Sequence, residues 1–215
     1  MARTRGRPRS FDEAKLLQAL TGVFWDKGYS GASLDDLQEA AGVSRPSLYT
    51  AFGDKRGMYH RVLQAFTAGF ETHLSQLANG GGDLRGDLAK FYGAAIDLYV
   101  TGARGPRGCL VLCTATADAI DLPDAKAALG SVIHGLDDVL IARFRGAAAG
   151  RDNPAGPSPD ARALHAAAIL HSLALRARAG QSRNELLGFA ESGLALLFET
   201  SGTGPHPPRS TVPSR

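Results

Sequence analysis

The 215-residue sequence predicts an all-α protein, on three observations. Apolar residues recur at three- and four-residue spacing through most of the chain, as in Leu16, Leu17, Leu20, Val23 and Phe24. The segments that carry this spacing open on Ser or Asp and close at Gly or Asn, residue types that satisfy or release the free backbone groups of helix ends. The one stretch whose β-branched content would suit a buried strand, Cys109 to Ile120, lies among helical neighbours.

Composition bounds the class. With 44% hydrophobic and 21% charged residues the chain is ordinary globular protein. No stretch approaches the ~18 uninterrupted apolar residues of a membrane helix, so no membrane partner is expected. The basic N-terminus lacks a following apolar core, so no signal peptide is expected and the cytoplasm is the expected location. Two cysteines cannot build a disulfide framework, which fits a reducing compartment. The charge is uneven: residues 1–66 hold 10 Lys/Arg against 7 Asp/Glu, whereas residues 67–215 hold 14 of each. Four of those cations, Arg3, Arg5, Arg7 and Arg9, form an arm that Gly6 and Pro8 keep from being helical. Such an arm is a solvated tail or lies along DNA, where a narrow minor groove attracts arginine.

Taken in order, Ser10-Phe11-Asp12-Glu13 reads as a capping box for a first helix that ends at Lys27-Gly28, with Trp25 and Tyr29 closing a small core. Ser33 caps a second helix through Leu34, Leu37, Ala40 and Ala41, with Asp36 near its positive end. Gly42 breaks it, Val43 plugs the turn, Ser44 is the next cap, and Pro46 falls in the first turn, where a missing N–H costs nothing. The third helix, Arg45 to about Phe52, is too short to be a core element. Leu48 faces inward, and Arg45, Pro46, Ser47, Tyr49 and Thr50 supply a guanidinium, an apolar ring, two hydroxyls and a phenol. Those groups can hydrogen-bond base edges and phosphates or touch a thymine methyl in a major groove. Gly53 ends the helix and Asp54 caps the next. Lys55 and Arg56 then put cations where the helix dipole disfavours them unless an anion such as a phosphate is near.

Ala41-Gly42-Val43-Ser44, Ser47-Leu48-Tyr49, Phe52 and Lys55 together resemble the helix-turn-helix signature of the tetracycline-repressor (TetR/AcrR) family of bacterial transcription regulators. The resemblance is strong over the first third of the chain and elsewhere extends to size and helical character. It implies a three-helix DNA-binding domain over residues 10–58 and a helical ligand-binding and dimerisation domain over 59–200; by their own composition the basic arm (1–9) and the Pro-, Gly-, Ser- and Thr-rich tail (201–215) are expected to be disordered. The resemblance further implies that Ser33 touches phosphate, that Ser44 through Thr50 face the groove, that Tyr49 reaches phosphate and that Lys55 clamps the DNA backbone. Beside such a motif, Arg5 and Arg7 are expected on DNA. Two departures stand out: Ala32-Ser33 where many members carry two hydroxyls, and Arg56-Gly57 where many carry an acidic residue.

Met58, Val62, Leu63, Phe66, Phe70, Leu74 and Leu77 mark a long connecting helix to about Ala78, ended by Asn79-Gly80-Gly81-Gly82. Asp83 caps another, with Leu84, Leu88, Phe91, Tyr92, Ala95, Ile96 and Tyr99. A loop from Gly102 to Gly108 leads into the Cys109 segment, expected to be a short buried helix on which Cys109 and Cys113 face the same way. Arg107-Gly108-Cys109-Leu110 resembles a family subgroup in which some members sense electrophiles or oxidants through a cysteine here. Both thiols also fit as small buried hydrophobes; Arg107 and a helix N-terminus would favour reactivity by lowering the thiol pKa of Cys109. A metal site is incomplete without His134 or His171 approaching.

The next helix opens at Asp121-Leu122-Pro123 and carries Leu129, Val132, Ile133, Leu136, Leu140 and Phe144, with His134 close to that face. Phe91, Tyr92, Tyr99, Cys109, Cys113, Ile133 and His134 are the candidate lining of a ligand pocket between helices. After a Pro/Gly-rich loop at 150–159 come two helices, about Asp160 to Ala179 and, behind a capping box at Ser182 to Glu185, as far as Phe198. Their small residues allow close approach, and the resemblance implies that they pair with their copies in a homodimer. The expected function is a repressor on a palindromic double-stranded DNA operator, released by an unidentified small-molecule inducer; thiol sensing through Cys109 is the alternative signal. No cofactor is expected, and no catalytic motif supports an enzyme.

Overall fold

The computed structural model describes residues 12–81, 83–102, 104–149 and 157–198, and among them it is helical without strands. The basic arm, most of the 150–159 loop and the tail lie outside the described residues. The first helix, α1 (Glu13–Gly31), is capped by Asp12, whose carboxylate accepts from the Lys15 N–H at 3.4 Å. The expected cap, Ser10, lies outside the described residues, and Glu13 pairs with Arg61 at 2.6 Å. At Gly28 the backbone leaves helical geometry (φ 69°, ψ 179°), a left-handed excursion that glycine makes without strain, and one further turn follows it. Next come α2 (Leu34–Ala41), α3 (Arg45–Phe52) and α4 (Lys55–Ala78). Leu16, Leu20 and Phe24 of α1 meet Leu37, Leu48, Phe52, Met58 and Tyr59 in the interior of this headpiece.

Beyond it, α5 (Leu84–Val100), α7 (Pro123–Ala148), α8 (Pro159–Arg178) and α9 (Arg183–Phe198) pack as a bundle, with the far part of α4 lying on α7. The capping box at Ser182 forms: the Ser182 N–H donates to Glu185 at 2.7 Å and the Glu185 N–H returns to Ser182 Oγ at 3.4 Å. The Cys109 segment is helical, but as a wide π turn (Val111–Ala115) running into the single turn α6 (Thr116–Asp118). The hydroxyls of Thr114 and Thr116 bond back to the carbonyls of Leu110 and Leu112, so the β-branched residues that suggested a strand are accommodated inside the turn. This segment lies against α1, α7 and α8, which puts it at the seam between headpiece and bundle.

Candidate nucleic-acid interface

The turn between α2 and α3 is built locally. Ser33 Oγ accepts from the Asp36 N–H at 3.1 Å, and Asp36 accepts from the Ser33 N–H at 2.9 Å, completing a capping box. Lys27 reaches the same carboxylate at 2.6 Å, and these bonds hold the Asp36 carboxyl down to about 2. Gly42 closes α2 in the left-handed region (φ 64°, ψ 24°), with its N–H on the carbonyls of Gln38 and Glu39. Leu48 and Phe52 then sink α3 into the core. The remaining faces of α3 have no part in that core: Arg45, Pro46, Tyr49 and Thr50 are exposed and Ser47 is half-buried.

Several of these side chains already have partners. Ser44 makes no side-chain cap bond to α3, contrary to expectation; its hydroxyl lies 3.0 Å from that of Ser47. Thr50 Oγ1 donates to the Pro46 carbonyl at 2.8 Å, and Arg45 pairs with Asp35 of α2. Lys55 rests over the ring of Tyr29, 4.5 Å from its centre, so the ring face supplies the negative potential that the start of α4 lacks. Arg56 donates to Asp124 at 3.1 Å, tying the start of α4 to the first turn of α7. At Gly57, in one of the departures from the family pattern, a Cβ would run into the Phe52 carbonyl oxygen. Arg5 and Arg7 fall outside the described residues.

Behind the exposed face, polar contacts join headpiece to bundle through partners far apart in sequence. Asp118 Oδ2 accepts from the Tyr29 N–H at 3.2 Å and the Tyr59 hydroxyl at 3.0 Å; burial, reinforced by that carboxylate, pushes the Tyr59 phenol up. Arg178 donates to the carbonyls of Trp25 at 3.1 Å, Asp26 at 3.1 Å and Arg107 at 3.3 Å. Trp25 donates from Nε1 to Gly108 at 3.0 Å, so it bridges to the bundle besides filling the headpiece. A cleft of about 440 Å³ opens here, bordered by Lys27, Tyr29, Cys113, Asp118 and Arg178. Sequence reasoning passed over Asp118 and Arg178, because nothing local marks a residue whose partners lie 59 to 153 positions away.

The residues expected to line a ligand pocket are not all brought together. Tyr99, Cys109 and Cys113 are, at the seam. Tyr92 is buried and donates its hydroxyl to the Ala166 carbonyl at 2.7 Å, with Phe91 half-buried beside it. Ile133 is half-buried, but His134 is exposed: two residues from both Val132 and Leu136, it falls on the opposite side of α7 from the buried stripe. Of the two readings of Cys109, its burial fits the small buried hydrophobe: burial pushes its thiol up to about 12, opposite to the activated alternative, and Arg107 lies over the Trp25 ring at 4.0 Å. Cys113 is the more open thiol; burial raises its pKa too, with the Arg178 charge opposing.

A short, outward-facing helix pinned behind a glycine turn, on a three-helix headpiece in front of a helical bundle, defines a helix-turn-helix regulator. The family profile described as "Bacterial regulatory proteins, tetR family" matches residues 16–62. The transcriptional repressor ComR of Escherichia coli is 29% identical over 202 residues, spanning 92% of this chain and 94% of its own. A cysteine-substituted form of the TetR family regulator CifR, solved with a 26-base-pair operator DNA, is 30% identical with a TM-score of 0.72, covering 87% of this chain and 98% of its own. The reduced form of E. coli NemR shares the fold at 20% identity, with a TM-score of 0.68 over 86% of this chain and 94% of its own. The chain belongs to the TetR family of bacterial transcription regulators.

Proposed function

We propose that this regulator is a homodimeric repressor that holds a palindromic DNA operator through α3 and releases it when a small molecule occupies the helical region behind the headpiece. The observation that carries the reading is the face of α3, where Arg45, Ser47, Tyr49 and Thr50 project from a helix that Leu48 and Phe52 anchor in the core. Ser33, Ser44, Pro46 and Lys55 border that face. In this reading residues 10–58 are the DNA-binding part, 59–200 the ligand-binding and dimerising part, and the chain has no catalytic role. Dimerisation is supported by an apolar stripe that no other element covers among the described residues: Leu164, Ala168 and Leu175 are exposed on α8, and Leu196 on α9. A two-fold pair would set its recognition helices about 34 Å apart, one turn of DNA.

Release follows as a population shift. An inducer that binds better to a form with the wrong helix separation weakens operator binding by its differential affinity, and roughly 1–3 kcal/mol of coupling gives 5- to 150-fold. The Arg56–Asp124 pair and the Asp118 and Arg178 contacts are the levers, because they join the start of α4 and the end of α1 to the bundle. Operator selection from random duplex DNA tests the reading. Tyr49→Ala and Lys55→Ala should weaken binding to every sequence, whereas Arg45→Ala and Ser47→Ala should also change the preferred bases. Equal losses on operator and random DNA for all four would refute it.

A thiol signal is a second reading of the same regulator, favoured by the cluster of Tyr99, Cys109 and Cys113 at the seam. With Cys109 buried, its reaction would follow a local opening. Cys109→Ser should then bind operator normally and ignore electrophiles that release the wild type.

A further inference from the structure

The carboxylate of Asp35 favours the start of α2 only through the helix dipole, as an acidic residue of the first turn. It is the second residue of that helix, but the helix N-terminus is already served by the reciprocal Ser33–Asp36 box, and the cation reaching this end, Lys27, goes to Asp36. Asp35 instead extends across the α2–α3 seam to Arg45, the first residue of α3. Its side chain is 80% exposed and that of Arg45 45%, so the pair stands on the surface that meets DNA in the proposed function, on which this inference rests.

A negative charge at such a place also carries a cost for DNA binding. It repels every phosphate, and phosphate attraction is the sequence-independent part of DNA affinity. The pair engages Arg45 through Nη2 alone. A guanidinium has five N–H donors in a rigid fork, so enough remain for the two-pronged contact with O6 and N7 of a guanine. A long, rotamer-rich arginine held at one donor enters that contact already oriented; an unheld one swings to the nearest phosphate.

We propose that Asp35 is a specificity-determining residue that positions the Arg45 guanidinium for a base edge and sets a repulsive charge against phosphate. It lowers affinity for arbitrary DNA and raises the preference for a site with guanine under Arg45. Asp35 touches no base itself.

The test uses the full chain. Operators are selected from random duplex DNA with the wild type, Asp35→Asn, Arg45→Ala and the double variant, and each protein is then titrated by fluorescence anisotropy on the wild-type operator and on a random duplex of equal length at one salt concentration. For Asp35→Asn the operator-to-random affinity ratio should fall about ten-fold, toward the lower end of what one bidentate base contact contributes. Operator binding should weaken while random binding does not, and the relaxed base pair should be the one that Arg45→Ala also loses. In the Arg45→Ala background, Asp35→Asn should leave the ratio unchanged.

Four results overturn the proposal. Equal tightening on both duplexes makes Asp35 an idle surface charge, and equal weakening with a lowered melting temperature makes it a residue of the fold. A wild type that selects no sequence removes the recognition role of α3 and this inference with it; a wild type that selects an operator beside an unchanged Asp35→Asn ratio removes this inference alone.

Discussion

Asp118 and Tyr59 are energetically coupled across the seam, and a double-mutant cycle measures the coupling. Asp118 Oδ2 accepts two hydrogen bonds, from the Tyr29 N–H at 3.2 Å and the Tyr59 hydroxyl at 3.0 Å, and the rest of Tyr59 is buried among Phe24 and Tyr29, with ring centres 5.0 and 5.3 Å away. A hydrogen bond to a charged group contributes about 1.5–3 kcal/mol. Asp118→Ala loses two and strands the Tyr59 hydroxyl, so it should cost about 3–4 kcal/mol. Tyr59→Phe loses one bond and keeps the ring packing, for about 1.5 kcal/mol. In the double variant the hydroxyl and its acceptor are both gone, and the loss should fall short of the sum by about 1–2 kcal/mol. The assay is urea unfolding of all four proteins at one protomer concentration, because a dimer's stability depends on concentration. Losses that add within about 0.3 kcal/mol would show that the bond is absent and refute the argument that Asp118 holds headpiece to bundle. With coupling established, Asp118→Asn, which keeps an acceptor oxygen, should recover part of the loss.

Further perturbations probe the same seam and the bundle. Gly108→Ala should destabilise by more than ~1 kcal/mol in thermal melts, because Gly108 sits at φ +64° and a Cβ would come 2.3 Å from the Ala174 carbonyl oxygen. Gly193→Ala should cost less, since its Cβ would meet the Ile169 methyl end at 2.6 Å, which can swing aside. Asp87→Ala should cost about 3 kcal/mol by urea unfolding, because it strips Arg143 of the carboxylate in a pair whose side chains are only 18% and 15% exposed. Alkylation followed by mass spectrometry at neutral pH should label Cys113 before Cys109. Burial raises the Cys109 pKa from 9.0 to about 12, so the unfolded chain loses that proton first. Its contribution to stability is therefore whole below pH 9 and declines as pH climbs toward 12, and Cys109→Ala should remove that part of the alkaline decline.

Most of the element boundaries were legible in the residues. Ser33 with Asp36, Gly42, Asp54, Asp83 and Ser182 with Glu185 each act within one turn of their own position, and they start or stop helices where expected. The first cap was read too early because Ser10 and Asp12 both precede a helix-compatible run, and Asp12 is the one whose carboxylate meets the Lys15 N–H. The Cys109 segment could be read as strand or helix from its composition, and its wide π turn depends on packing against α1, α7 and α8. His134 was misjudged by proximity: a residue near an apolar stripe in sequence is on the far side of the helix when it sits two positions from the stripe's members.

What the sequence determined by itself is therefore the all-α class, the order of the helices and the headpiece with its exposed third helix, because caps, breakers and helical spacing are short-range instructions. Tertiary structure alone decided which charged groups face one another. Asp35 with Arg45, Asp118 with Tyr29 and Tyr59, and Arg178 with the end of α1 are all brought together across helices, as is the burial that turns Cys109 from a candidate thiolate into a protonated core thiol. Desolvation and ion pairing depend on distance in space, and a chain has no way to display that until its helices have packed.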